Sequence, residues 1–222
     1  MKSTKSKAAR SQSTIESRLT VADPALGYVI AAVVARIGPQ RIAPSRVSAF
    51  EALVRAVVYQ SVSGKTAASI FARLKDVVPE PLTPLKVLAR RPQSLAQAAG
   101  LSNAKARTIR GLAEWFESNA KLASALPTLP DDEIVEVLGV IPGIGAWTVN
   151  VFLIFNLGRL DVMPAADLGI RRGVQLTDGL PVIATPKQVL ERSRSWSPYR
   201  SIASIYLWQA TKLKLGPNDL SK

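Results

Sequence analysis

Two short stretches of this sequence carry residue types that could do chemistry. The first, LGVIPGIGAWTVN at residues 138–150, places Pro142, Gly143 and Gly145 immediately before an apolar segment. Glycine permits positive φ and a close backbone approach, and the first N–H groups of a following helix have no intrahelical partners. The stretch therefore predicts a helix, a tight hairpin and a second helix that together bind an anion such as a phosphate. An ordinary turn between two helices fits this stretch equally well.

The second stretch, DVMPAADLGIRRG at residues 161–173, leaves Asp167 among apolar residues at the predicted start of a helix. A carboxylate about 4 Å from a positive charge contributes ~1 kcal/mol in water but ~4 kcal/mol at an effective dielectric constant of 20. It can also orient or deprotonate a water molecule. The alternative is that Asp167 only caps its helix. Asp161 has the same alternative, with less to favour a catalytic role.

The charge and the missing residue types narrow the class of protein. The 222 residues contain 29 Lys and Arg against 16 Asp and Glu, a net charge of +13. The net charge of an ordinary soluble domain has a magnitude of about 2–8. The larger positive charge of this chain favours a polyanionic partner, with nucleic acid ahead of an anionic membrane. The sequence has no Cys and no His. Thiolate chemistry and an iron–sulfur cluster are thereby excluded, and acid–base chemistry must come from Asp, Glu, Lys or Tyr.

The first 20 residues differ in composition from the rest of the chain. Residues 1–20 are rich in Ser and Thr and contain five cations against Glu16, without the apolar segment of a secretory signal. We expect a disordered basic arm over residues 1–20, with a transit peptide as the alternative. Residues 21–222 are expected to form one all-α domain, and no apolar run reaches the ~18 residues of a membrane span.

Apolar periodicity and capping residues predict nine or ten helices. One buried stripe follows the i, i+3, i+4, i+7, i+8 pattern and comprises Phe50, Leu53, Val54, Val57 and Val58. Predicted N-caps, several of them followed by Pro, are Asp23, Ser63, Thr83, Ser102, Asp131, Thr185 and Ser197. No segment shows the sustained alternation of a β-strand.

The order of the two stretches resembles the helix-hairpin-helix DNA glycosylase superfamily. The branch that it resembles is the alkylation-repair group of the 3-methyladenine DNA glycosylase II type, and residues 50–74, 101–116 and 196–208 agree with it. The resemblance covers residues 45–210 and implies a compact multi-helix fold of two helical lobes with the active-site cleft between them. It also implies a monomer that flips alkylated purines, such as 3-methyladenine and 7-methylguanine, out of double-stranded DNA and hydrolyses their N-glycosidic bonds.

The resemblance also assigns roles to individual residues. Asp167 corresponds to the catalytic aspartate, and no cofactor is needed for the chemistry. The residues assigned to the base pocket are Trp147 and Trp208, with Tyr199 as a weaker member. Those assigned to DNA are Gln60, Ser61, Asn103, Gly143, Gly145 and Thr148, the last three through backbone N–H groups. The backbone carbonyls assigned to a structural sodium or potassium ion are those of Gly139, Ile141 and Ile144.

The sequence departs from the family pattern at several positions. The hairpin helix has no Lys near Trp147, so we expect a monofunctional glycosylase without a lyase step. Gln60-Ser61 stands where the family often has two glutamines, and Asn103 stands where one branch has a bulky wedge residue that fills the gap left by the flipped base.

Two other functions stay open at this point. A non-catalytic helix-hairpin-helix DNA-binding module explains the charge and the hairpin but not Asp167 together with two tryptophans. A glycosylase for mismatched or oxidised bases commonly has a four-cysteine cluster, which is absent from this sequence. Cationic alkylpurines leave without being protonated, which suits a chain without His. The expected location is on DNA, in a bacterial nucleoid or a eukaryotic nucleus.

Overall fold

The computed structural model describes residues 15–216 and residue 219, and every regular element in this part of the chain is helical. The all-α prediction is confirmed. The described residues divide into two compact units, the first within residues 1–43 and 159–222 and the second comprising residues 44–158. This division agrees with the two helical lobes that the resemblance implies. Within the described residues, none of the helices has the length and apolar character of a membrane span.

The first unit is built around its last helix. Its elements are α1 (residues 15–22), α2 (Pro24–Ile37), α11 (Leu168–Asp178), α12 (Pro186–Arg192), a 3₁₀ turn (Ser193–Trp196) and α13 (Arg200–Lys212). Helices α2 and α11 both pack against α13. The approach of α11 is close, because a Cβ on Gly173 would lie 2.7 Å from Cβ of Leu207.

The second unit surrounds a central helix, α3 (Ala49–Tyr59). The other elements are α4 (Gly64–Val77), α5 (Pro84–Leu88), α6 (Pro92–Ala99), α7 (Asn103–Ser118), α8 (Ala120–Ala125), a 3₁₀ turn (Leu126–Thr128), α9 (Asp131–Gly139) and α10 (Ala146–Phe155). Helix α3 packs against α4, α7 and α10, and its predicted apolar stripe is buried. The described residues contain more helices than the predicted nine or ten, because α1, α6 and α8 were not predicted. The short helix α5 was predicted from Thr83 and Pro84, whereas α8 spans only six residues and carries too few turns for periodicity to reveal it.

Local capping chemistry was predicted well, with two errors. The predicted N-caps that are confirmed are Asp23, Ser63, Thr83, Ser102 and Thr185. Asp131 is instead the first residue of α9, after Pro130, so that three acidic residues lie in the first turn, where the helix dipole favours them. Ser197 is not a cap either, because its hydroxyl donates to Asp161 Oδ2 at 2.9 Å and α13 begins after Tyr199.

The predicted disordered arm over residues 1–20 is wrong for residues 15–20, and residues 1–14 lie outside the described residues. Residues 15–20 belong to α1, whose Leu19 is only 1% exposed in the core of the first unit. The Tyr206 hydroxyl donates to the Glu16 carboxylate, and Arg18 Nη1 donates to the Tyr199 hydroxyl at 3.3 Å. A polar composition concealed a short amphipathic helix that uses one buried leucine.

A buried charged cluster joins the start of α2 to the end of α12. Asp23 is 3% exposed, and its carboxylate accepts from Trp196 Nε1 at 2.6 Å and from Arg192 Nη2 at 2.7 Å. Arg192 Nε also donates to Asp178 at 3.0 Å. Burial alone would raise the pKa of Asp23, but the hydrogen bonds and the attraction of Arg192 outweigh burial and hold this pKa below 3.8.

We expect Asp23→Asn to lower the free energy of unfolding by about 3 kcal/mol, near the low end for a broken buried pair because Arg192 is 26% exposed. The native carboxylate has the lower pKa, so its contribution is complete above the unfolded-state pKa and is lost as the pH falls through the native pKa. The difference in the free energy of unfolding between wild type and Asp23→Asn should therefore be constant above pH 3.8 and shrink below this pH. Urea titrations at several pH values measure this difference. Asp76→Asn, at an exposed position, is the control and should change stability by less than about 0.5 kcal/mol. An equal effect of both substitutions would contradict the assignment.

Candidate active site

The segment that leads to Asp167 runs along one face of α13. The Ser201 amide donates to the Leu160 carbonyl at 2.9 Å, and the Val162 amide donates to Ser201 Oγ at 2.8 Å. One turn further along α13, Ser204 Oγ lies 3.8 Å from Met163 Sδ. These contacts follow the i, i+3 spacing of a helix face, so α13 holds the segment at successive points before it reaches Asp167.

Asp161 is a structural carboxylate. Its Oδ1 accepts from Arg200 Nε at 2.7 Å, and its Oδ2 accepts from Arg200 Nη2 at 2.9 Å, which is a bidentate pair. Burial acts to raise the pKa of Asp161, but hydrogen bonds from Arg200 and Ser197 outweigh it and leave the pKa below 3.8. The hydrogen bond to Asp161 raises the pKa of Arg200. Both carboxylate oxygens are engaged in fixing the start of α13, which argues against a catalytic role.

Asp167 caps a helix, and its carboxylate is held by two hydrogen bonds. It precedes α11, and its Oδ1 accepts from the Ile170 amide at 2.9 Å. The same Oδ1 accepts from Trp208 Nε1 at 2.7 Å. Trp208 lies one turn beyond Ser204, on the same face of α13. The capping interpretation is therefore correct, and the cap together with the indole fixes the orientation of a half-buried carboxylate.

Gly169 makes room for the indole beside Asp167. A Cβ at this position would lie 2.8 Å from Trp208 Cδ1 and 3.0 Å from Asp167 Oδ1. Any side chain here would push the indole away from the carboxylate. Sequence reasoning missed this role, although a glycine two residues after an N-cap aspartate was the available signal.

Tyr199 lies at the opposite end of α13 from Trp208. It immediately precedes the helix, nine residues before Trp208, which corresponds to ~13.5 Å along the axis. Its hydroxyl accepts from Arg18 of α1. The assignment of Tyr199 to the base pocket stays a prediction.

In the second unit, the residues 141–144 form a type II turn. The Ile144 amide donates to the Ile141 carbonyl at 3.0 Å, with Pro142 and then Gly143 at the two central positions. Gly143 has φ +88°, as the third residue of this turn type requires. A Cβ on Gly143 would also lie 2.1 Å from Thr108 Oγ1 of α7. Both the predicted positive φ and the predicted close approach are confirmed at this glycine.

Gly145 differs from that expectation. It is the N-cap of α10 with φ −109° and ψ 177°, an extended conformation that any residue adopts, and a Cβ at this position would point into open space. The prediction of an unusual backbone at Gly145 is therefore wrong. The turn already reverses the chain at Gly143, so that Gly145 only starts the helix.

Gln60 connects the end of α3 to this hairpin. Its Nε2 donates to the Gly143 carbonyl at 3.0 Å and to Thr148 Oγ1 at 2.8 Å. Three of the residues that were assigned to DNA are thus in direct contact. Ser61, which follows, is exposed with φ +53°, and Asn103 is the exposed first residue of α7.

The remaining assigned residues lie around the same hairpin. Trp147 is the second residue of α10 and is half-buried. Gly139 is the last residue of α9, where carbonyls lack intrahelical donors. The Ile141 carbonyl accepts the turn hydrogen bond, which leaves it a second lone pair, and Ile144 ends the turn. Backbone oxygens at the negative end of a helix are suitable ligands for a hard monovalent cation.

Helix α9, the turn and helix α10 form a helix-hairpin-helix element, and a held aspartate follows it in the chain. The family model for the HhH-GPD superfamily of base excision DNA repair proteins matches residues 54–198. The chain therefore belongs to this superfamily.

Individual proteins that are similar to this chain agree with its membership of the superfamily. The chain is 37% identical over 171 residues to DNA-3-methyladenine glycosylase 1 of Schizosaccharomyces pombe, and the match covers 74% of this chain and 73% of the relative. The solved structure of the 3-methyladenine DNA glycosylase Mag1 from that yeast, in complex with abasic DNA, superposes with a TM-score of 0.82 at 33% identity, covering 94% of this chain and all of the other. A DNA-3-methyladenine glycosidase from Bacillus halodurans superposes with a TM-score of 0.67 at 30% identity, covering 88% and 93%.

The two hairpin glycines are expected to respond differently to the same substitution. Gly143→Ser should lower the free energy of unfolding by more than about 2 kcal/mol, because it combines positive φ with a clash against Thr108. Gly145→Ser should be neutral or slightly stabilising, since serine is a better N-cap than glycine or equal to it. Denaturant unfolding compares the two variants. Equal losses at both positions would show that the turn geometry is not as described.

Proposed function

We propose that this chain is a monofunctional DNA glycosylase of base excision repair that hydrolyses the N-glycosidic bond of alkylated purines in double-stranded DNA. The substrates are bases such as 3-methyladenine and 7-methylguanine. The observation that carries the proposal is the carboxylate of Asp167, which is held by the Trp208 indole and the start of α11. Membership of the superfamily and the 3-methyladenine glycosylases among the relatives support it.

Asp167 stabilises the charge that develops when the base leaves. Departure of the base gives the sugar oxocarbenium character, and a fixed anion near that charge lowers the barrier without having to reorient. The two donors on Oδ1 restrict rotation of the carboxylate before substrate arrives. The same group orients or deprotonates the water molecule that attacks the sugar.

The choice of lesion follows from the leaving group. A neutral purine needs a proton to depart readily, and the chain has no His to supply it. A cationic alkylpurine needs none. Flipping the base out of the duplex costs a few kcal/mol, and stacking on an aromatic ring returns about 1–3 kcal/mol. Trp147 and Trp208 supply that stacking in this proposal, and the hydrogen bond of Trp208 lies in its ring plane, so it is compatible with a base on the ring face.

The hairpin holds the DNA backbone. The N–H groups of Gly143, Gly145 and Thr148 bind a phosphate at the start of α10, where the helix dipole favours an anion. The net charge of +13 supports a nucleic-acid partner. Ser61 and Asn103, both exposed, contact the duplex beside the hairpin in this proposal.

A sodium or potassium ion would be held by the carbonyls of Gly139, Ile141 and Ile144. The donor set fits such an ion because it consists of backbone oxygens at the end of α9 and in the turn. When bound, the ion supplies positive charge near the phosphate and no bond-making step. We further propose that the protein acts on DNA as a monomer, in a bacterial nucleoid or a eukaryotic nucleus.

Asp167→Asn is expected to abolish measurable release of methylated bases, a loss of at least roughly a hundredfold, while DNA affinity stays within a few-fold. Asparagine caps a helix as well as aspartate does, so the fold should be kept. Single-turnover release from methylated duplex DNA, with binding measured on the same duplex, provides the test.

Asp161→Asn is the matched control, because it removes the other carboxylate of the same segment. It should weaken the pair with Arg200 and lower stability by about 1 kcal/mol, an estimate kept small because both side chains are about one third exposed. Base release by Asp161→Asn should persist. Near wild-type activity of Asp167→Asn would refute the catalytic assignment.

A further inference from the structure

Helix α7 supports the two elements that the proposed function assigns to DNA. Thr108 packs against Gly143 of the hairpin, and a Cβ on Gly111, three residues later, would lie 3.8 Å from Ile141 Cγ2. Lys105 precedes Thr108 by three residues and therefore lies on the same face of α7. This face contacts the end of α3 through Lys105 and the hairpin through the two later residues.

The Lys105 ammonium group is directed into the protein. Its Nζ donates to the Val58 carbonyl at 2.8 Å and to the Gln60 carbonyl at 2.7 Å. The last carbonyls of a helix have no intrahelical donors, and a cation complements the negative end of the dipole. Lys105 is half-buried, and the burial lowers its pKa. Its charge is used at the end of α3 rather than on the solvent surface.

Gln60 is held from two sides. Lys105 binds its backbone carbonyl, while its side-chain amide donates to the Gly143 carbonyl and to Thr148 Oγ1. Ser61 then adopts φ +53°, a conformation that a non-glycine residue keeps only where its surroundings impose it. The backbone at this point needs an external restraint, and the Lys105 ammonium provides one.

We propose that Lys105 is a positioning residue for the DNA-binding hairpin. It fixes the backbone of Gln60 so that the Gln60 amide reaches Gly143 and Thr148, and it does this without contacting a phosphate itself. The inference rests on the proposed function only in that the hairpin binds DNA. It predicts an effect on binding and none on the bond-breaking step at Asp167.

The first experiment measures the affinity for an undamaged duplex and for an abasic duplex over a series of salt concentrations. Lys105→Met should bind roughly tenfold more weakly than wild type, because the backbone of Gln60 is no longer fixed by the two hydrogen bonds and the hairpin must be ordered when DNA binds. Lys121→Met, which removes the same charge from an exposed position on α8, is the control and should bind nearly as well as wild type. The slope of log K against log salt should be the same for both variants. A slope flattened by about 0.9 in Lys105→Met alone would show a phosphate contact and overturn the proposal.

The second experiment is a double-mutant cycle with Gln60→Leu, which removes the amide and keeps the size of the side chain. If Lys105 acts through Gln60, then Lys105→Met should weaken binding by less than about twofold in the Gln60→Leu background. Independent effects that multiply would contradict the proposal, as would unchanged binding by Lys105→Met in the wild-type background.

Base release separates this proposal from the proposed function. With enzyme in saturating excess, the single-turnover rate constant of Lys105→Met should stay within about twofold of wild type, because Asp167 is unaffected. A large fall in that rate constant at full saturation would overturn a pure positioning role in binding. Wild type that releases no alkylated base would refute the proposed function, while the binding cycle would still decide the role of Lys105. If circular dichroism shows Lys105→Met to be unfolded, Lys105→Gln takes its place with the same expected results.

Discussion

The hydrogen bond from the Trp208 indole to Asp167 Oδ1 is the contact on which the catalytic half of this account depends. It is the last of a series of contacts along α13, each about one turn from the previous one, that hold residues 160–167 in place. A carboxylate that stabilises a transient cation is effective only if it does not have to move during the reaction. The close approach permitted by Gly169 allows an indole, rather than a water molecule, to hold it.

In the second unit, side chains from neighbouring helices hold the hairpin in a fixed conformation. Its hairpin must present backbone N–H groups in a fixed direction, and a type II turn with Gly143 at φ +88° achieves this. Side chains from other helices then brace the turn: Thr108 packs against it and Gln60 binds its carbonyl. In both units a hydrogen-bonding side chain from another element fixes a group whose orientation the proposed chemistry requires.

How much of this was predictable depends on how local each interaction is. The turn at residues 141–144, the cap at Asp167 and the buried stripe of α3 follow from neighbouring residues, and they were predicted from the sequence. The choice between Asp161 and Asp167 was not fully decided there, because the partner of Asp161 is Arg200, 39 residues away. The roles of Lys105 and Gly169 were missed for the same reason, since the carbonyls and the indole that they meet lie on other helices. Leu19 was overlooked because Ile15 and Leu19 form a single i, i+4 pair in a polar stretch, which is too short a pattern to indicate a helix.

The role of the hydrogen bond from Trp208 to Asp167 can be measured by single-turnover base release from methylated duplex DNA by Trp208→Phe. Phenylalanine keeps an aromatic ring for stacking and has no N–H to donate to Asp167. We expect the rate constant at saturating enzyme to fall roughly 10- to 100-fold, which corresponds to the loss of one hydrogen bond to a charged group, with unchanged affinity for DNA. A rate constant within about twofold of wild type, or a loss confined to affinity, would contradict the claim that this hydrogen bond positions the catalytic carboxylate.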